Sequence, residues 1–173
     1  RMIARKYGIN ANSDFAILKA IGYDCPGAIS FISDKSNSEL AEYYEIKGKA
    51  INTEELEKFI NELPQKPLGT GVKDLRLSLA GAQTKTAVLL INNEIHLPDR
   101  HTPTSHILKP AIKGLKETVE NEYICLKVAE KLGIRTPEVK ICNAGKTKFL
   151  LIERFDREIQ NNKIKRLHQE DFC

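Results

Sequence analysis

Lys109 closes the run Ser105-His106-Ile107-Leu108 and is followed by Pro110. A cation at the end of an otherwise apolar strand is a point donor for phosphate charge, although a lone strand-end lysine is more often simply solvated. Further along, Glu122 sits beside the apolar stripe of a helical segment, placed to pair with such a lysine and hold it forward. Glu120 takes the more exposed neighbouring position. Upstream, Ala80-Gly81-Ala82-Gln83 is a turn of small residues, and without bulky side chains its backbone N–H groups could approach phosphate oxygens. It is poorer in glycine than a GxGxxG loop, and alone it would be read as a hairpin turn. Downstream, Leu150-Leu151-Ile152 runs into Glu153-Arg154-Phe155, where the change from apolar to charged marks a strand leaving the core and offering backbone groups to an adenine ring. Each feature is common, but four in this order within one continuous segment point to nucleotide phosphate chemistry.

Those positions need elements to hold them. Leu75, Leu77 and Leu79 alternate with Arg76 and Ser78, which is strand periodicity, and Thr84 to Ile91 is a second strand. Asn92-Asn93 predicts a hairpin turn into Glu94 to Leu97, and Ser105 to Lys109 is another strand. A helix is predicted from about Leu115 to Leu132, closed by Gly133, with Val119, Tyr123, Leu126 and Ala129-Glu130 along its buried stripe. Pro137 to Cys142 and Lys148 to Ile152 read as two strands around Asn143-Ala144-Gly145. Strand, small turn, hairpin, strand with a terminal lysine, helix with an inward glutamate, then two strands is the order of a protein-kinase small lobe.

Ahead of it, residues 1 to about 63 read as mainly helical. Asn12-Ser13-Asp14 offers cap oxygens to a helix carrying Phe15, Ile17, Leu18 and Ile21, stopped by Gly22. Ala28 to Ile32 has β character. Thr53 could cap a helix with Glu54 and Glu55 in its first turn and Leu56, Phe59, Ile60 and Leu63 on one face, ended by Pro64. Pro64 to Gly71 is the best linker, and its Gly69-Thr70-Gly71 reads as a hinge rather than a phosphate loop. The expected fold class is α+β: a kinase-like small lobe of antiparallel sheet plus one long helix, preceded by a small mainly helical subdomain. The expected boundaries are 1–63 for that subdomain, 64–74 for the linker, 75–157 for the lobe and 158–173 for the opening of a large lobe.

Composition narrows the function classes. Hydrophobic residues make up 41% of the chain, enough for a packed core, yet no apolar run approaches the roughly 20 residues of a membrane span. The net charge of +4 is spread as lysines along the chain, a solvated surface rather than a nucleic-acid footprint. With no Trp, five Tyr and six Phe there is no stacking platform for bases. Cys25, Cys125, Cys142 and Cys173 form no CxxC pair, so no zinc site is expected and a reducing cytoplasm fits best.

Several segments together resemble the HipA-type serine/threonine kinase toxins of bacterial toxin–antitoxin pairs. Ser78-Leu79-Ala80-Gly81-Ala82-Gln83-Thr84-Lys85-Thr86-Ala87 is similar to their phosphate-loop segment, and Pro103-Thr104-Ser105-His106-Ile107-Leu108-Lys109 to their lysine strand. Asn121-Glu122-Tyr123 with Cys125 resembles their helix, and Glu153-Arg154-Phe155-Asp156-Arg157 their hinge. Arg166-Leu167-His168-Gln169-Glu170-Asp171 resembles the opening of their large lobe, and Ile21-Gly22 with Gly27-Ala28 their N-terminal subdomain.

The resemblance implies a cytoplasmic kinase using ATP and Mg²⁺ to phosphorylate a translation component, typically an aminoacyl-tRNA synthetase such as that for glutamate. It implies a helix-turn-helix antitoxin as partner, with DNA engaged only through it and no membrane. The nucleotide-binding set it implies is Ala80, Gly81, Ala82, Gln83, Lys85, Lys109, Glu122, Glu153 and Phe155, the last two through their main chain. Ser78 would be the autophosphorylated loop serine. The family's Asp-x-His-x-Lys-Asn segment and later Mg²⁺-binding Asp have no counterpart within these residues, since Gln169-Glu170-Asp171-Phe172-Cys173 resembles a helix start. The general base and the metal ligand are therefore expected beyond Cys173, in a longer chain. The alternative is a non-catalytic module that engages an antitoxin–DNA complex or a nucleotide. A small-molecule kinase with the same lobe order is a third reading, disfavoured by the resemblance at Ser78 and at the hinge.

Overall fold

The computed structural model describes residues 2–31, 42–66, 79, 81–99 and 102–170. Its helices are α1 (Met2–Tyr7), α2 (Asp14–Ile21), α3 (Thr53–Glu62) and α4 (Thr118–Lys131). Its strands are β1 (Tyr44–Glu45), β2 (Gly48–Ala50), β3 (Thr86–Ile91), β4 (Glu94–Pro98), β5 (His106–Pro110), β6 (Val139–Ala144), β7 (Thr147–Glu153), β8 (Arg157–Gln160) and β9 (Lys163–Arg166). Six strands form one antiparallel sheet in the order β2-β4-β3-β5-β7-β6, and three form a second in the order β1-β9-β8.

The period-2 alternation of a strand sends neighbouring side chains to opposite faces, and here each face receives one helix. Leu108, Phe149 and Leu151 pack with Leu56, Phe59, Ile60 and Leu63 of the α3 segment. Val139, Leu150 and Ile152 pack on the other side with Val119, Tyr123 and Leu126 of α4. The result is the α+β arrangement of an antiparallel sheet with one long helix. Residues 42–63 join that arrangement: β2 extends the sheet edge, α3 covers a face, and β1 pairs with β9.

Local chemistry explains the element ends. Ser13 caps α2, its Oγ accepting from the Ala16 N–H at 3.2 Å, and Gly22 closes it. Asn52, one residue before the expected Thr53, caps α3 in a reciprocal box with Glu55. α4 starts three residues later than its apolar pattern suggested, because Gly114 and Glu117 take positive φ and hold the preceding residues in a turn. It ends as expected at Gly133: the N–H groups of Gly133 and Ile134 donate to Glu130 and Ala129 carbonyls. Asn92 and Asn93 both have positive φ, as a two-residue hairpin turn between twisted strands requires.

Other expectations need correction. Residues 28–31 form no strand, because Pro26-Gly27 turns the chain and Phe31 donates back to the Gly22 carbonyl. The β6–β7 turn is Gly145-Lys146, since Ala144 pairs with Thr147. The β8–β9 hairpin was not foreseen, although Asn161-Asn162 repeats the positive-φ pair of Asn92-Asn93. Residues 169–170 are not helical. Of the strand expected at 75–79, only Leu79 is among the described residues, outside any strand and packed on the core.

Candidate nucleotide-binding site

The sheet and α4 bring the sequence-identified lysine and glutamate together. Lys109, next to last in β5, lies opposite Leu150 on the face that α4 covers. Its Nζ donates to Glu122 Oε1 at 2.5 Å, with both side chains mostly shielded from solvent. Glu120 instead pairs with Lys148, so the two acids in the first half of the helix take separate lysine partners.

Lys85 completes this end of the site. It folds back over the small-residue turn, its Nζ donating to the Gly81 carbonyl at 3.0 Å and to the Gln83 carbonyl at 2.6 Å. Burial pushes the Lys85 pKa down, the charge of Lys109 adds to that, and Glu122 partly opposes it. Lys85, Lys109 and Glu122 thus share one electrostatic site. Each ammonium has three donors. Among the described residues two donors of Lys85 and one of Lys109 are engaged, which leaves three for an anion. Gly81 has a φ of +100°, a conformation L side chains rarely adopt, and an added Cβ would lie 3.0 Å from Lys85 Nζ. Ala82 is exposed and Gln83 half-buried beside it. Ala80 and Ser78 lie outside the described residues.

The hinge lies at the other end of β5 and β7. Glu153 ends β7, and its N–H is taken by the Glu138 carbonyl at 2.8 Å. Phe155 projects to solvent, 70% exposed. Between hinge and lysine, Ala87, Ile107 and Ile152 stand in one row across β3, β5 and β7. Ile107 is two residues from Lys109 and therefore on the same face, about 7 Å along the strand. It is half-buried and belongs to neither core cluster. This apolar row was not singled out in the sequence, where its signal is only the i−2 spacing from Lys109.

The expectation that the charged residues after Ile152 mark an exit from the core is corrected. Arg154, Asp156 and Arg157 are 3%, 4% and 6% exposed, and they meet Asp24 and Arg166 in a second, polar core. Arg154 uses all five of its N–H donors there. Nε donates to Asp156 Oδ1, Nη1 to Asp24 Oδ2 and Thr104 Oγ1, and Nη2 to the Cys25 carbonyl and Asp156 Oδ2, at 2.8–3.1 Å. Arg157 reaches Asp24 Oδ1 at 2.8 Å and the Cys25, Gly27 and Asp156 carbonyls. The Arg166 guanidinium lies over the rings of Tyr23 and Tyr44, a contact that shields its charge. Burial would raise the Asp156 carboxyl, but the Arg154 hydrogen bonds and the two guanidinium charges outweigh it and leave its pKa lowered. Burial lowers the Arg157 pKa, opposed by the Asp24 carboxylate, and repulsion from the neighbouring Arg154 charge adds to the lowering. Asp-Arg density at 154–157 was visible in the sequence; its partner Asp24, far upstream, was not.

A cleft of about 850 Å³ runs past Arg135, Glu138, Glu153, Phe155, Leu167 and His168. None of Gly81, Lys85, Lys109 or Glu122 lines it, so it is not the lysine site. Among the described residues no group of three His, Cys, Asp or Glu converges to hold a metal, and no helix is long and apolar enough to cross a membrane.

Comparison with known proteins agrees with this geometry. Residues 77–173 match the family model of the HipA-like C-terminal domain. Y4mE of Sinorhizobium fredii, named as a candidate kinase, is 35% identical over 98% of this chain and 41% of its own length. The serine/threonine-protein kinase toxin HipA of Shewanella oneidensis is 30% identical over 96% of this chain and 37% of its own. A chain in the structure of the HipA, HipB and operator DNA complex from Shewanella oneidensis superposes with a TM-score of 0.72 at 28% identity, over 96% of this chain and 38% of that one. The chain therefore spans about two-fifths of the length of these relatives. With a family model covering more than half of its residues and a solved relative sharing its fold, this chain belongs to the HipA-like family.

Proposed function

We propose that the chain is the nucleotide-binding part of a protein serine/threonine kinase that uses Mg·ATP to phosphorylate a component of translation, with an aminoacyl-tRNA synthetase as the substrate class. The observation that carries this reading is the Lys109–Glu122 pair, held between β5 and α4 beside the Gly81 turn and Lys85. In a shielded site two ammonium groups can take phosphate charge, and a carboxylate partner keeps one of them in place when no anion is bound. Ala80, Gly81, Ala82 and Gln83 would lie over the phosphates. The Glu153 carbonyl and the Phe155 N–H would read the adenine edge, with the half-buried Ile107 against its face.

Bound Mg·ATP supplies the phosphoryl group to be transferred. In this reading these residues bind and orient the nucleotide, while the base for the substrate hydroxyl and the Mg²⁺ ligand would be carried by other parts of the kinase. Phosphate on Ser78 would add about −1.5 to −2 charges beside ATP's own phosphates, repelling nucleotide and switching the kinase off. The solved relative is in complex with HipB and operator DNA, which supports an antitoxin partner here; DNA would be engaged through that partner. The proposed setting is the cytoplasm.

The test is the intact mass of the natural full-length protein before and after incubation with Mg·ATP, followed by phosphosite mapping. A gain of one phosphate at Ser78, with transfer to a synthetase added in the same tube, is expected. No ATP binding and no mass gain would overturn the reading.

A further inference from the structure

We infer that Asp24 is a positioning residue for the adenine: it holds Arg154, and thereby fixes the two backbone groups on either side of Arg154 that would read the base. This rests on the nucleotide reading above and names a residue that neither the sequence nor the family comparison singled out. The Asp24 carboxylate is 2% exposed as part of its residue and comes from the segment before the sheet. Its Oδ2 accepts from the Thr104 N–H at 3.1 Å, from Thr104 Oγ1 at 2.5 Å and from Arg154 Nη1 at 3.1 Å, while Oδ1 accepts from Arg157 Nη2 at 2.8 Å. One carboxylate therefore ties the entry to β5 to both ends of the 154–157 turn.

The backbone is pinned from the opposite side. The Arg154 N–H donates to the Ser105 carbonyl at 2.9 Å and the Glu153 N–H to the Glu138 carbonyl at 2.8 Å. With the Arg154 side chain saturated and its N–H engaged, the chain cannot rotate at 154 without breaking several buried bonds at once. Among the described residues the Phe155 N–H has no such bond, so the cage fixes its direction without consuming it.

Charge sharpens the dependence on Asp24. Three buried guanidinium groups, of Arg154, Arg157 and Arg166, face two buried carboxylates, of Asp24 and Asp156. If Asp24 is made neutral, Asp156 alone faces all three, and Arg154 and Arg157 repel each other across Phe155-Asp156. The expected distortion is centred on the adenine-reading turn, whereas Lys109 and Lys85 are held by Glu122 and by the Gly81 and Gln83 carbonyls, outside the cage.

The experiment separates base recognition from phosphate recognition. Calorimetric titrations of the natural full-length protein use Mg·ATP and Mg·tripolyphosphate, with wild type, Asp24→Asn and the milder Thr104→Val, which removes only the bridging hydroxyl. ATP affinity is expected to fall about tenfold in Asp24→Asn and about threefold in Thr104→Val, while tripolyphosphate affinity stays within about twofold in both. Unchanged ATP affinity in a folded variant overturns the inference, as does an equal loss for both ligands, the mark of general loosening. Should Asp24→Asn fail to fold, Thr104→Val decides on the same criteria. Wild type that binds no ATP removes the nucleotide reading itself, whereas wild-type binding with flat variants removes only the role of Asp24.

Discussion

The two ends of β5 solve different physical problems. At the lysine end, among the described residues, Lys109 has one carboxylate partner and Lys85 two loop carbonyls, and donors remain to spare. At the hinge end, every N–H of the Arg154 guanidinium is engaged and the whole cluster is buried. A site that must accept and release a highly charged ligand cannot satisfy its cations fully beforehand. A site that reads a neutral heterocycle through backbone groups gains from having its geometry fixed before the ligand arrives. On the nucleotide reading proposed above, the sparse end suits exchange of charge and the saturated end suits a fixed shape.

The largest effect that would break this contrast is on stability. Arg154→Met removes five buried hydrogen bonds, to Asp24, Asp156, Thr104 and the Cys25 carbonyl, although two guanidinium groups still face the two carboxylates, and it is expected to cost about 3–5 kcal/mol in urea unfolding. A loss below about 1 kcal/mol would place the cage on a par with exposed ion pairs. Lys109→Ala should behave in the opposite way. Phosphoryl transfer and growth arrest by the full-length protein should fall about 100-fold or more. Its unfolding free energy should change by no more than about 1 kcal/mol. If Lys109→Ala unfolds the protein, or still arrests growth, the lysine end is structural after all.

Acid should distinguish the ends next. His106 stands on β5 between the cage residue Thr104 and Lys109, and its Nδ1 lies 2.9 Å from Ser105 Oγ. Burial pushes its pKa down to about 4, with nearby Glu138 partly opposing and Lys140 adding. In the unfolded chain a histidine takes its proton below about pH 6.5, whereas here the folded ring refuses it until about pH 4. The unfolded state therefore binds more protons across that window, so stability is present above it and lost as pH falls through it, by about 3 kcal/mol. Urea unfolding of wild type and His106→Gln between about pH 7 and pH 4 should converge on the acid side. Parallel curves would mean that His106 does not carry the effect.

Much of the lysine end was legible in the sequence because its signals are local. Lys109 ends an apolar strand, Glu122 sits at helical spacing from Val119 and Leu126, and Gly81 lies among alanines. The α+β order followed from the same patterns. The polar core was not legible, because strand grammar treats a run such as Glu153-Arg154-Phe155-Asp156-Arg157 as solvent-facing. Its burial depends on a carboxylate about 130 residues upstream, a pairing no local pattern encodes. The missed β8–β9 hairpin is a different kind of miss. Asn161-Asn162 carried the signal already used at Asn92-Asn93, but the expectation of a large-lobe opening there overrode it.

The smallest expected effect tests how the sparse end keeps its shape. Gly81→Ala forces an L residue into a φ of +100° and places a methyl 3.0 Å from Lys85 Nζ. The backbone strain is about 1 kcal/mol, and the close atom is the far end of a flexible lysine, which can move aside. The exposed turn lies outside both core clusters, so global unfolding should shift by less than the strain itself. What should change is the fraction of molecules in which Lys85 closes the turn on the Gly81 and Gln83 carbonyls. ATP affinity should then fall about fivefold, with tripolyphosphate falling in step, because this loss sits at the phosphates and not at the base. Such a joint loss is the mirror of the base-selective loss expected from Asp24→Asn. If Gly81→Ala weakened ATP but spared tripolyphosphate, the two ends of β5 would not be separable, and the division of labour between them would fail.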